Sequence, residues 1–188
     1  MPEPRRFTVA EYQRMIALDI LGPDDWVELI EGLLVVKPPR TAPHDATVSV
    51  LNEVFHAILP EGWARRCRLS LELMDSQPEP DMTVVCGDVR KHMARHPTAA
   101  DTALVVEVSD DVLLRERRER ARMYARSGVP VYWIVNLVDR RVEVLTDPSG
   151  PTAVPAYATA AAFAPGADVP LLLPGAPPAV VPAAELLL

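Results

Sequence analysis

Pro78-Glu79-Pro80-Asp81-Met82-Thr83-Val84-Val85-Cys86 and, after a polar excursion, Ala103-Leu104-Val105-Val106-Glu107-Val108-Ser109 form the stretch that decides the fold. Pro78 and Pro80 fix an extended lead-in, which puts Asp81 at the mouth of a strand instead of inside it. The β-branched run around Glu107 reads as a strand buried on both faces. A carboxylate left unpaired there costs at least about 2 kcal/mol. Glu107 is therefore either protonated or met by something positive. A divalent ion shared with Asp81 is one such partner, and carboxylate oxygens suit magnesium or manganese. The plainer alternatives are a turn role for Asp81 and an edge position or salt bridge for Glu107. The two acids are distant in the chain, so a shared site requires their strands to lie side by side.

Working outward, Thr8-Val9-Ala10-Glu11 has the form of a capping box and predicts a helix from Val9 to about Leu18. Trp26 to Val36 predicts strand, tight turn at Gly32, and strand. Val48, Leu51, Val54, Phe55 and Ile58 recur at helical spacing and predict an amphipathic helix from Asp45 to Leu59, with His44 just before it. Gly62 to Asp75 alternates loosely and reads as a strand. His92 and His96 are placed on a solvated turn. Leu113 to Gly128 reads as an Arg-rich helix stopped by Gly128 and Pro130. At about 100° per residue, Arg117 and Arg120 turn towards the sheet, while Arg115, Arg118, Arg122 and Arg126 turn to water. Arg117 and Arg120 can either pair with Glu107 or Glu116, or face an anionic substrate such as a phosphate. Val131 to Asn136 and Arg141 to Leu145 predict a hairpin, and the Pro- and Ala-rich tail predicts edge strands and a short helix at Pro182 to Leu187.

At 188 residues the chain is long enough for one domain with a real core, over residues 1–188. No apolar run reaches transmembrane length, and the start lacks the apolar core of a signal peptide, so a soluble cytoplasmic protein with no membrane partner is expected. A net charge of −7 argues against a general nucleic-acid coat protein but leaves room for a local basic groove. Cys67 and Cys86 are too few for a disulfide framework or zinc knuckle, leaving one bridge between neighbouring strands open.

Several blocks taken together carry a resemblance. They are Phe7-Thr8-Val9-Ala10-Glu11-Tyr12, Val27-Glu28-Leu29-Ile30-Glu31-Gly32, Pro43-His44, Pro78-Glu79-Pro80-Asp81, Val106-Glu107-Val108-Ser109-Asp110, and the run from Tyr124 to Asn136. In this order, over roughly residues 7 to 187, the chain resembles the bacterial putative restriction endonuclease family of the PD-(D/E)XK nuclease superfamily. The resemblance implies a restriction-endonuclease-like α/β fold, a mixed central sheet flanked by helices, with extra edge strands from the C-terminal segment. It implies a metal-dependent endonuclease that hydrolyses phosphodiester bonds in nucleic acid, DNA being the expected one. Asp81 and Glu107 would hold Mg2+ or Mn2+, with Glu28 as a supporting acid and a homodimer as the working form. In the superfamily a lysine stands two residues after the second acid, where this chain has Ser109. The family's lysine from the following helix corresponds here to Arg120. Arginine stays charged and cannot act as a base, so it can hold a phosphate or stabilise a transition state and no more. Arg117 would join it at the phosphate, and His44 would bind substrate or stand in as base. Two rival readings are a catalytically silent nucleic-acid- or protein-binding module that keeps the fold, and a structural subunit that dimerises through the hairpin around Trp133.

Overall fold

A computed structural model describes residues 3–110 and 114–188, without the side chains of residues 89 and 114–117. Thr8 starts α1 (Val9–Ala17) by the expected capping box: its hydroxyl accepts from the Glu11 N–H at 3.1 Å, and the Glu11 carboxylate accepts from the Thr8 N–H at 2.9 Å. The antiparallel hairpin of β1 (Val27–Ile30) and β2 (Leu33–Val36) turns at Glu31-Gly32. Gly32 has φ +78°, and a Cβ there would lie 2.7 Å from that of Arg6, so glycine is required. α2 (Ala42–Ile58) begins three residues earlier than Asp45 because Thr41 caps it and Pro43 is tolerated in a first turn; His44 therefore lies inside the helix.

The remaining elements are β3 (Trp63–Arg66), β4 (Met82–Cys86), β5 (Thr102–Ser109), α3 (Leu114–Arg126), β6 (Val131–Asn136), β7 (Arg141–Pro148), β8 (Tyr157–Phe163), β9 (Asp168–Leu171), β10 (Ala179–Pro182) and α4 (Ala183–Leu186). β3 to β8 form a six-stranded mixed sheet in chain order. All its pairs are antiparallel except β5–β6, which run parallel across the α3 connection. One face packs against α2 and α4, with Phe55 meeting Trp133 edge-on at 5.8 Å. The other face packs against α3 through Met123, Tyr124, Tyr132 and Ile134. This is the expected mixed sheet flanked by helices. β8 adds the expected edge strand, whereas β9 and β10 pair with each other in a separate two-stranded sheet.

Other details differ from expectation. β3 stops at Arg66, because Arg68 takes a left-handed φ of 51° and its N–H turns to the Pro80 carbonyl. Trp133 itself is fully buried, so its side chain is not on the surface of the hairpin. His92 is buried, with neither ring nitrogen hydrogen-bonded among the described residues, and is not on a solvated turn. Arg122 and Arg126 do not simply face water: Arg122 pairs with Glu31, and Arg126 with Glu31 and Asp75. Cys67 and Cys86 are both free. Trp63 pairs with Cys86 and Arg66 with Thr83, so the two cysteines fall at opposite ends of the β3–β4 ladder. No helix among the described residues is long and apolar enough to cross a membrane.

Candidate active site

Strand register brings the two acids together. Met82 pairs with Val106 across the antiparallel β4–β5 ladder, so Asp81, one residue before β4, falls opposite Glu107. The Asp81 N–H donates to Glu107 Oε2 at 3.3 Å, and the Val108 N–H donates to Asp81 Oδ2 at 2.9 Å. Both acids line a cavity of about 240 Å³, together with Glu28, His44, Arg68 and Arg120. Side chains alternate along β5, so Glu107 shares with Val105 the face that packs against α3.

Arg120, on α3, spans two carboxylates. One of its amino groups donates to Glu107 Oε1 at 3.1 Å and the other to Glu28 Oε1 at 2.5 Å. Tyr124, one helical turn on, donates its hydroxyl to the same Glu107 Oε1 at 2.7 Å. Glu28 is buried, and its Oε2 accepts from the Glu79 N–H at 3.1 Å. Burial is the main cause that raises the Glu107 carboxyl above its ordinary value, and the Asp81 and Glu28 charges add to it, against the pull of Arg120 and Tyr124. Arg120 is held charged by the same two acids in spite of its burial.

His44 Nε2 lies 3.1 Å from Asp81 Oδ2, and that hydrogen bond raises the imidazole against the opposing effect of burial. The shift favours imidazolium, which suits holding Asp81 better than taking a proton from water. Arg68 also pairs with Asp45. Its Nε is 3.7 Å from Asp81 Oδ1 and has no hydrogen-bond partner among the described residues. The Arg68 guanidinium, held by Asp45 and Asp81 on the cavity wall, suits a bound anion.

Asp81, Glu107, Glu28, Arg120 and His44 thus converge on one cavity. The side chain of Arg117 lies outside the described residues. Sequence reasoning passed over Arg68, Tyr124 and Lys37, which pairs with Glu79 at 2.6 Å on the same wall. Tyr124 did carry a signal, standing four residues after Arg120 on the sheet-facing side of the helix. Arg68 carried none, because its position depends on the irregular chain after β3.

The donor set of the cavity is made of carboxylate oxygens and one imidazole. Among the described residues, no group of three or more His, Cys, Asp or Glu is arranged to hold a metal. That is unlike a zinc site, which takes most of its ligands from protein nitrogen and sulfur. Two carboxylates fit magnesium or manganese, because magnesium usually keeps several waters and is held by one or two carboxylates together with substrate phosphate.

The family model described as "Putative restriction endonuclease", Uma2, matches residues 9–177. The chain belongs to the Uma2 family. Among solved structures, one titled a putative nuclease, from Anabaena variabilis ATCC 29413, superposes with a TM-score of 0.65. It shares 19% identity with this Uma2 chain, and the match covers 91% of this chain and 94% of the other. At that identity the likeness shows a common fold. A search of curated proteins finds no match. Membership of Uma2 supports a nuclease, and with it a nucleic-acid substrate and a general requirement for a divalent metal.

Proposed function

We propose that this chain is an endonuclease that hydrolyses phosphodiester bonds in nucleic acid, with DNA as substrate and Asp81 and Glu107 as the ligands of one or two magnesium or manganese ions. The observation that carries the reading is the register that sets Asp81 opposite Glu107 on the wall of a cavity also lined by Arg68 and Arg120. Bound between the two carboxylates, the ion would supply an activated water and charge for the departing oxygen. Arg120 fixes Glu107 and Glu28 in position, and His44, as imidazolium, orients Asp81. The Arg68 guanidinium takes an oxygen of the scissile phosphate; a phosphate role for Arg117, whose side chain lies outside the described residues, rests on the sequence alone. A PD-(D/E)XK-type site, a single domain over residues 1–188, a homodimer and a cytoplasmic location belong to the same reading and rest on the family resemblance.

A nicking assay on supercoiled plasmid DNA with manganese tests it. Asp81→Asn is expected to abolish nicking while circular dichroism and melting stay those of the parent. Undiminished nicking by this variant would remove Asp81 from the chemistry.

The second reading is a silent binding module, favoured by Arg120, whose guanidinium already neutralises Glu107 and Glu28 and cannot act as a base. Arg120→Lys in the same assay separates the two. A rise in nicking identifies a slow enzyme, whereas no cleavage by parent or variant, with no magnesium binding by calorimetry, identifies the binding module.

A further inference from the structure

Trp26 is the feature beside the cavity that the proposed hydrolysis leaves unused. Of the chain's three tryptophans, Trp133 is fully buried and Trp63 half-buried, whereas Trp26 is 54% exposed. It sits just before β1 in a left-handed conformation, φ 50° and ψ 39°. A bulky side chain adopts that conformation at a cost, and such residues gather at ligand clamps. Its carbonyl accepts the Lys37 N–H at 2.7 Å, which extends the β1–β2 ladder by one backbone pair.

The Arg40 guanidinium lies over the indole, 5.6 Å from the ring centre. Arg40, Lys37 and the strongly exposed Val36 line the same cavity as Asp81 and Glu107. An exposed flat ring with Arg40 over it, adjoining residues that line a cavity whose carboxylates suit a metal, matches one repeating chemistry. A nucleotide offers a base to the ring and phosphates to the cations. An acidic peptide would use the cations and leave the indole in water.

We propose that Trp26 is a stacking platform for an unpaired base of the strand whose phosphate enters the cavity, with Arg40 taking a flanking phosphate. The inference rests on the nuclease reading and deepens it. It makes single-stranded or frayed nucleic acid the preferred substrate, because a base inside a duplex is already stacked and must first be extruded.

The test uses the full chain in EDTA, which prevents cleavage, with a fluorescein-labelled single-stranded DNA, the RNA of the same sequence and the DNA duplex. Trp26→Ala is expected to weaken single-strand binding about tenfold, the scale of one lost base stack. Duplex binding is expected to stay unchanged, and Trp26→Phe to keep most of the single-strand affinity. Tighter binding of DNA or of RNA by the parent names the source of the base, and either supports the platform. If Trp26→Ala binds the single strand as tightly as the parent, the platform is overturned while the nuclease reading stands. If the parent binds none of the three probes, both fall.

Discussion

β5 has a buried carboxylate towards each end, and the two have opposite electrostatic lives. Asp101, just before the strand, accepts from the Thr98 N–H at 3.0 Å, the Thr98 hydroxyl at 3.0 Å and Arg95 at 2.8 Å, with Lys91 at 3.1 Å. Its carboxyl is held well below the usual range, chiefly by Arg95. Glu107, near the other end, has three donors to the four of Asp101, yet its carboxyl is pushed upward. One donor fewer does not reverse the direction of the shift; burial and the neighbouring charges do. Asp101 is met by two cations that reach solvent, whereas Glu107 shares one cation, Arg120, with the acid Glu28 and has Asp81 beside it. A fold that needed only to tie down a strand end would build the Asp101 arrangement. Gathering acids around Glu107 opposes folding, which is the mark of a site arranged for a ligand.

Removing each charge sharpens the contrast. Glu107→Gln is expected to lower manganese-dependent nicking at least about 100-fold, or about 2.7 kcal/mol in the barrier, with melting close to that of the parent. Parental nicking by this variant would make the crowding of acids a packing accident. Asp101→Asn is expected to do the reverse, leaving nicking intact and lowering stability by about 2 kcal/mol, because several donors lose a charged acceptor. In a chain of this size that is a fall of about 4–8 °C in Tm. Since folding depresses the Asp101 carboxyl, its contribution is present above the ordinary value of 3.8 and is lost as pH falls through the folded value. The Tm gap between parent and variant should therefore be full at neutral pH, start to narrow near pH 3.8 and close only as pH falls through the lower folded value. A gap that persists in acid would show that the Asp101 charge is not what ties down the strand end.

How much of this was legible follows from where each signal resides. Patterns within one element were readable: the Thr8 capping box, the apolar stripe of α2, the turn at Gly32, and the oddity of Glu107 in a β-branched run. The side-by-side placement of Asp81 and Glu107 was legible only as a requirement, because register is set between strands and no local pattern encodes it. Arg126 was misread, and the ion pair of the exposed Arg122 was missed, for a related reason. A helical wheel assigns them to water, but it cannot show that the β1–β2 turn brings Glu31, and the loop before β4 brings Asp75, to that face. The run after Arg66 alternates like a strand, yet Leu71 and Leu73 bond to Pro78 and Ser76 within their own loop, which carries Arg68 into the cavity. β10 escaped notice because Pro174, Pro177 and Pro178 before it read as a loop.

The smallest expected effect comes from the group that holds Glu107 without touching substrate. The Tyr124 ring is fully buried and packs against Tyr132, with ring centres 5.0 Å apart, so Tyr124→Phe keeps the packing and removes one donor to Glu107. The loss of that bond costs about 1 kcal/mol of stability. Glu107 keeps Arg120 and the Asp81 N–H but is free to tilt. The variant is therefore expected to need about tenfold more manganese for half-maximal nicking while reaching a similar rate at saturation. A lower Tm with no change in the manganese requirement would reduce Tyr124 to the structural role that Thr98 plays at the other end of β5, and the two ends would then differ only in their acids.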